Sequence, residues 1–254
     1  MLEIDQFLWI YPLLVFAGFI AGFMNTMAGG GSLLTLPLLI FLGLPPAVAN
    51  GTNRIAIFMS TSSATLGFKS KGVSTFPFNI YLGICGLLGA LIGAKIAIDI
   101  DGALFNKILA IIMIFVVVLI VFKPKINYTE LVERLTGKHL YISMIVFFFI
   151  GVYGGFINAG IGFVIMLFLH YYNRLNLVKV NSAKVVIVLI YTTGALITFA
   201  LADKVNWTYG LFLASGNFLG GWSSSRWSVK KGENSIKVFL IVIVVLMSIK
   251  LWFF

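Results

Sequence analysis

The stretch Asn25-Thr26-Met27-Ala28-Gly29-Gly30-Gly31-Ser32 interrupts a run of apolar residues that would otherwise continue as a membrane helix. Each of the three adjacent glycines weakens a helix by about 1 kcal/mol relative to alanine. The spacing therefore predicts a break, followed by a new helix opening at Ser32, a residue well suited to an N-cap. Free backbone N–H groups at such a start attract an anion. In lipid they are tolerated only where protein buries them or where they line a watery cavity. The same glycines also read as a contact where two helices approach through small residues. The stretch recurs as Asn158-Ala159-Gly160-Ile161-Gly162, and both copies precede a short apolar piece. That recurrence favours a broken-helix binding site.

The composition around these stretches leaves one class of protein. Of 254 residues, 60% are hydrophobic and 10% charged, with a mean hydropathy of +1.06. A soluble domain carries about 25% charged residues. A soluble enzyme, a disordered chain and a disulfide-stapled secreted module are thereby excluded, and a polytopic membrane protein remains. Long apolar runs lie near 7–28, 53–68, 78–98, 103–122, 140–159, 182–202, 206–222 and 236–254. Two shorter ones, 33–43 and 161–172, follow the glycines. At about 1.5 Å per residue these short pieces reach about half of a hydrocarbon core about 30 Å thick. Glu3 and Asp5 replace the basic start of a signal peptide, so the first run is expected to stay in the membrane.

The short pieces occupy the same place in each half of the chain, and an internal repeat accounts for this. Gly22-Phe23-Met24-Asn25 matches Gly155-Phe156-Ile157-Asn158. After a two-residue slip, Gly29 and Gly31 fall on Gly160 and Gly162, Asn50 on Asn181, Gly89 on Gly220 and Lys95 on Arg226. The expected architecture is all-α, with two membrane repeats, 1–122 and 140–254, joined by a cytoplasmic loop, 123–139. Each repeat would hold a glycine-broken first helix, a short half-helix and three further membrane helices. Charge sets the orientation, because cytoplasmic loops are enriched in Lys and Arg. Lys69 and Lys71 make the first matched loop basic, and Asp99 and Asp101 make the next acidic. In the second half the loop with Asp203 and Lys204 is nearly neutral, and the next carries Arg226, Lys230 and Lys231. Matching loops then face opposite sides, as in an inverted repeat, and both termini lie outside. Under this layout Arg54, Lys95, Lys107, Lys204 and Lys250 are outside and all other Lys and Arg inside. The net charge of +10 is explained by orientation, with no nucleic-acid partner.

A second constellation follows the first short piece: Pro45, Pro46, Asn50, Gly51, Thr52, Asn53 and Arg54. The prolines should stop the short helix, with Asn50 or Thr52 capping the next and Arg54 in its first turn. Its counterpart is Asn181-Ser182-Ala183-Lys184. A cation at a helix N-terminus opposes the macrodipole, which argues against a role in helix stability. One reading is a plain interfacial arginine. The other is an anion held between Arg54 or Lys184 and backbone donors of Gly29, Gly30, Gly31, Ser32, Gly160 and Gly162, with amides from Asn25, Asn50, Asn53, Asn158 and Asn181 and the hydroxyl of Thr52 nearby. No Asp or Glu lies within a long apolar run, which argues against a carboxylate proton relay or an intramembrane cation site. Lys95 and Lys107 read as snorkelling side chains, and His170, Trp9, Trp207, Trp222, Trp227 and Trp252 as interfacial aromatics. The single Cys85 and the two histidines make no metal cage, and no catalytic motif stands in a credible context. No cofactor and no enzymatic activity are expected.

The chain resembles the sulfite exporter TauE/SafE family of membrane permeases. The residues that carry the resemblance run from Ala21 through the glycine stretch to Pro37, then from Gly43 to Asn53, from Gly151 to Gly162 and from Lys179 to Lys184. The resemblance implies transport of sulfite, organosulfonates or related small anions across the bacterial inner membrane by a multi-pass protein. With inverted halves, the expected mechanism is a secondary transporter working by alternating access; an anion channel of the same architecture is the alternative.

Overall fold

The structure, a computed structural model, describes residues 9–121 and 132–253, with side chains described for 9–115 and 132–230. Glu3, Asp5 and the side chains of Lys123, Lys125, Lys231, Lys237, Lys250 and Trp252 lie outside the described residues, as does most of the 123–139 loop.

Among the described residues there are nine α-helices and no strand. They are α1 (Ile10–Met27), α2 (Ser32–Phe41), α3 (Pro46–Lys69), α4 (Phe78–Asp99), α5 (Gly102–Val121), α6 (Gly137–Phe156), α7 (Ile161–Tyr171), α8 (Leu177–Leu201) and α9 (Trp207–Phe253). Helices α1, α4, α6 and α8 are long and apolar enough to cross a membrane. An α-helix satisfies every backbone polar group within one segment, which lipid demands. Large apolar side chains such as Phe16, Phe19, Leu88, Ile92, Ile145 and Phe149 are exposed on the outside, as a lipid-facing surface requires. Helix α3 differs: Asn50, Thr52, Asn53, Arg54, Ser60, Thr61 and Ser63 are all buried on it. A helix this polar is shielded from lipid by neighbours, and α1, α2, α8 and α9 all pack against it.

The most extensive helix contacts pair elements from opposite halves: α1 with α9, α6 with α4, α3 with α9 and α8 with α4. Glycines permit the close approach. A Cβ on Gly216 or Gly220 of α9 would come within 2.2 Å of the carbonyl oxygens of Val15 or Phe19. A Cβ on Gly89 or Gly93 of α4 would come within 2.0 Å of those of Phe148 or Val152. Gly89 and Gly220, matched in the sequence, thus make the same contact on matching helices.

Several element boundaries differ from the sequence expectation. Helix α3 starts at Pro46, directly after Pro45 in an extended conformation (φ −55°, ψ 145°). Proline suits the first helical position because its missing N–H has no intrahelical acceptor there. Asn50, Thr52 and Arg54 therefore lie inside the helix, beyond any cap. Helix α8 likewise starts at Leu177, capped by Asn176, whose Oδ1 accepts from Lys179 N at 2.9 Å. Asn50 and Asn181 are each the fifth residue of their helix. Ser32 opens α2 as its first residue, with Gly31 in the cap position. The runs 206–222 and 236–254 belong to one helix, α9. His170 is buried within the protein, with Nδ1 2.7 Å from Leu175 O in the turn after α7. Lys95 and Lys107 are exposed.

Candidate functional site at two meeting helix breaks

Helix α1 ends where the N–H groups of Ala28 and Gly29 both fold back on Met24 O, at 2.7 and 3.0 Å. Gly29 then takes φ +82°, which reverses the chain toward α2. Helix α6 ends in the same way: Ile157 N donates to Tyr153 O at 3.0 Å, and Asn158 takes φ +57°. Gly160 follows at φ +71° and sits at the start of α7. The two breaks touch. A Cβ on Gly29 would lie 2.2 Å from Gly162 Cα, and one on Gly162 would lie 2.1 Å from Gly29 Cα, so neither position accepts a side chain.

Each break is closed by a cation from the other half. Arg54 on α3 donates from Nη1 to Gly154 O (2.6 Å) and from Nη2 to Gly155 O (2.7 Å) and to Asn50 Oδ1 (3.1 Å). Asn50 Nδ2 donates to Phe156 O at 2.7 Å, so one pair of side chains holds the end of α6. On α8, Lys184 Nζ donates to Thr26 O and to Asn181 Oδ1, both at 2.8 Å, and lies 3.5 Å from Met166 Sδ. Asn181 Nδ2 reaches Met27 O at 3.4 Å, completing the same arrangement at the end of α1. The last carbonyls of a helix lack intrahelical partners and carry the negative end of the macrodipole. Arg54 and Lys184 therefore sit favourably at helix C-termini, and the unfavourable N-terminal placement expected from sequence does not arise.

This geometry aligns Thr26 with Gly155 and Met27 with Phe156. The shared Gly-Phe-x-Asn sequence is thus about one helical turn out of geometric register. Asn25 lies within the last turn of α1, whereas Asn158 lies beyond the end of α6.

Arg54 and Lys184 are 0% and 1% exposed. Among the described residues no Asp or Glu is buried, and the single ion pair, Lys179–Glu133 at 2.6 Å, is at the surface. Burying an uncompensated charge is costly even when carbonyl dipoles solvate it. Several donors around the first break and on α3 have no partner among the described residues: Asn53 Nδ2, Arg54 Nε, the Asn25 amide, and the N–H groups of Gly30, Gly31 and Ser32. The Gly30, Gly31 and Ser32 N–H groups open α2, and Asn25 and Asn53 adjoin its first turn. Thr35 Oγ1 donates to Asn53 Oδ1 at 2.7 Å and lies 3.3 Å from Gly31 O. A Cβ on Gly31 would lie 2.9 Å from Asn25 Cβ. The side chains at the second break are engaged: Tyr191 OH donates to Asn158 Oδ1 (2.7 Å), Asn158 Nδ2 donates to Ser32 Oγ (3.2 Å), and Tyr153 OH donates to Ala159 O. Such an array of donors, positive charge and no carboxylate suits a small anion. Among the described residues no three His, Cys, Asp or Glu side chains gather as metal ligands would.

Of the residues expected from sequence to hold an anion, all lie around these breaks except Thr52, whose Oγ1 accepts from Asn206 N at 2.8 Å and ties α3 to the start of α9; Gly51 of the same constellation faces Lys204 O instead. Thr26, Thr35, Tyr153 and Tyr191 were missed. Tyr191 had a detectable signal, since it lies seven residues after Lys184 and so on the same face of α8.

The family model described as Sulfite exporter TauE/SafE matches residues 14–251. A "Probable membrane transporter protein" of Haemophilus influenzae is 28% identical over 242 residues, covering 95% of this chain and 94% of its own. The "Probable membrane transporter protein YfcA" of Escherichia coli K12 is 29% identical over 240 residues, covering 94% of this chain and 88% of its own. The "Probable membrane transporter protein YunE" of Bacillus subtilis is 24% identical, covering 95% and 97%. No solved structure matches the chain significantly. With an all-helical fold suited to the bilayer and a family match over nearly its whole length, the chain belongs to the sulfite exporter TauE/SafE family of membrane transporters.

Proposed function

We propose that this protein is a secondary transporter of sulfite, an organosulfonate or a related small sulfur oxyanion, bound at the two helix breaks near mid-membrane. The observation that carries this reading is the pair of fully buried cations with no buried carboxylate among the described residues, together with the unpartnered donors at the start of α2. A sulfur oxyanion supplies the missing negative charge and several acceptor oxygens at once. In this reading the N–H groups of Gly30, Gly31 and Ser32, the amides of Asn25 and Asn53 and the Arg54 Nε–H contact the anion. Lys184 contributes positive potential while its own protons hold the end of α1. Asn50, Asn158 and Asn181 position these groups, Gly29, Gly160 and Gly162 allow the close crossing, and Thr52 anchors α3.

The halves act as inverted repeats of a bacterial inner-membrane protein, and access alternates as one half rocks against the other about the crossing. The experiment is uptake of labelled sulfite into proteoliposomes, with unlabelled sulfite, taurine or chloride on the opposite side. Saturable uptake, accelerated by sulfite or taurine in trans, is the expected result. Uptake that rises linearly with concentration and ignores the trans anion would replace the carrier with a channel. Absence of both flux and binding for every sulfur oxyanion tried would overturn the reading.

A further inference from the structure

Away from the breaks, a basic pocket lies between the end of α3 and α9, outside the site proposed above. It is lined by Lys71, just past the end of α3, and by Arg226, Trp227, Val229 and Lys230 of α9, and encloses about 340 Å³. The Arg226 guanidinium carbon lies 4.0 Å from the centre of the Trp222 ring. Trp227 packs on Phe23, with ring centres 5.9 Å apart. Lys71, Arg226 and Lys230 are exposed, and none takes part in the one ion pair among the described residues.

The depth of this pocket follows from helix length. Helix α9 begins at Trp207, so Arg226 stands about 28 Å along it, about one hydrocarbon thickness from the opposite interface. Trp222 and Trp227 then lie where interfacial aromatics belong. Leu219, two turns before Arg226 on the same face of α9, is 54% exposed and offers an apolar track leading into the bilayer.

We propose that this pocket binds the phosphodiester headgroup of an anionic membrane lipid, with Lys71, Arg226 and Lys230 around the phosphate and an acyl chain along Leu219. A lipid is favoured over a free anion because the pocket opens at headgroup depth and continues onto an apolar helix face.

The test uses the full-length protein, delipidated in detergent and returned to micelles containing either phosphatidylglycerol or phosphatidylcholine, with retained lipid counted by native mass spectrometry. The wild type should retain phosphatidylglycerol in preference to phosphatidylcholine. The variant K71A/K230A should weaken phosphatidylglycerol binding roughly 10- to 30-fold. The variant K95A/K107A, which removes the same charge from exposed positions elsewhere, should leave it unchanged. Equal retention by the wild type and K71A/K230A, or an equal loss in K95A/K107A, would overturn the site. Displacement of phosphatidylglycerol by inorganic phosphate at matched concentration would overturn the lipid assignment. Thermal unfolding of each variant in detergent separates lost binding from lost fold.

Discussion

Replacing Arg54 with methionine separates what this side chain does for the fold from what it does for the anion. Methionine is unbranched and fills much of the same space, but it ends where Arg54 Nε stands, two bonds short of the Nη atoms. It leaves the carbonyls of Gly154 and Gly155, now bonded at 2.6 and 2.7 Å, without a donor. Each orphaned carbonyl costs about 1–3 kcal/mol, so about 2–6 kcal/mol together. Against this, the variant no longer buries a cation, which relieves a penalty of several kcal/mol. The terms are similar in size and opposite in sign, so the anion-free stability should change by less than either one.

The anion-dependent stability has no such cancellation. A charge-assisted bond contributes about 1.5–3 kcal/mol, so Arg54→Met should bind sulfite roughly ten- to a hundredfold more weakly. At sulfite equal to 100 times the wild-type Kd, binding stabilises the wild type by about 2.7 kcal/mol. At the same concentration the variant should gain only about 0.4–1.4 kcal/mol. Unfolding in detergent with and without sulfite measures both quantities. A folded Arg54→Met protein that keeps the full sulfite-dependent gain would refute the role of Arg54 in the site. Arg54→Lys keeps the charge but not the two-pronged grip on Gly154 and Gly155, and should fall between the two.

Asn25→Ala should leave stability unchanged within about 0.5 kcal/mol, because the half-buried amide has no partner to lose, yet weaken sulfite binding by about 1 kcal/mol in a calorimetric titration. Gly29→Ala and Gly43→Ala share positive φ, which costs alanine about 1–2 kcal/mol, but only Gly29 faces backbone, 2.2 Å from Gly162 Cα; unfolding should therefore show Gly29→Ala far less stable than Gly43→Ala, which has open space. In a Cys85→Ala background, cysteines at Ser70 and Lys230 should be shielded from an impermeant thiol reagent added outside intact cells, and one at Lys204 should react; labelling at Lys230 without labelling at Lys204 would reverse the assigned orientation.

The membrane class and the two breaks were legible because lipid imposes a strict hydropathy pattern and only clustered glycines interrupt it so abruptly. The helix starts were less legible, since Asn and Thr resemble caps wherever they stand; Pro46 at the first helical position was the better marker. A further signal went unused: Asn50 and Arg54 are four residues apart, and Asn181 and Lys184 three, so each pair shares one helix face and makes the bonds seen here. What those faces bind could not be read from sequence. Their partners are the backbone carbonyls of Gly154, Gly155, Phe156, Thr26 and Met27, which any residue type would supply. The Gly-Phe-x-Asn repeat even misleads by one turn, because the residues that align chemically are not those that end the helices.

The exchange of caps between the halves also bears on how the protein is made. Thr26 precedes Lys184, which closes the end of α1, by 158 residues, and Arg54 precedes Gly154 by 100. At about 5–20 residues per second, α1 waits about 8–30 s in the membrane before its native cap has been synthesised. Throughout that interval the nascent chain carries a helix end that only its own later residues can seal. A chain that stopped before α8 would lack Lys184 and Asn181, and with them both side-chain donors to the end of α1.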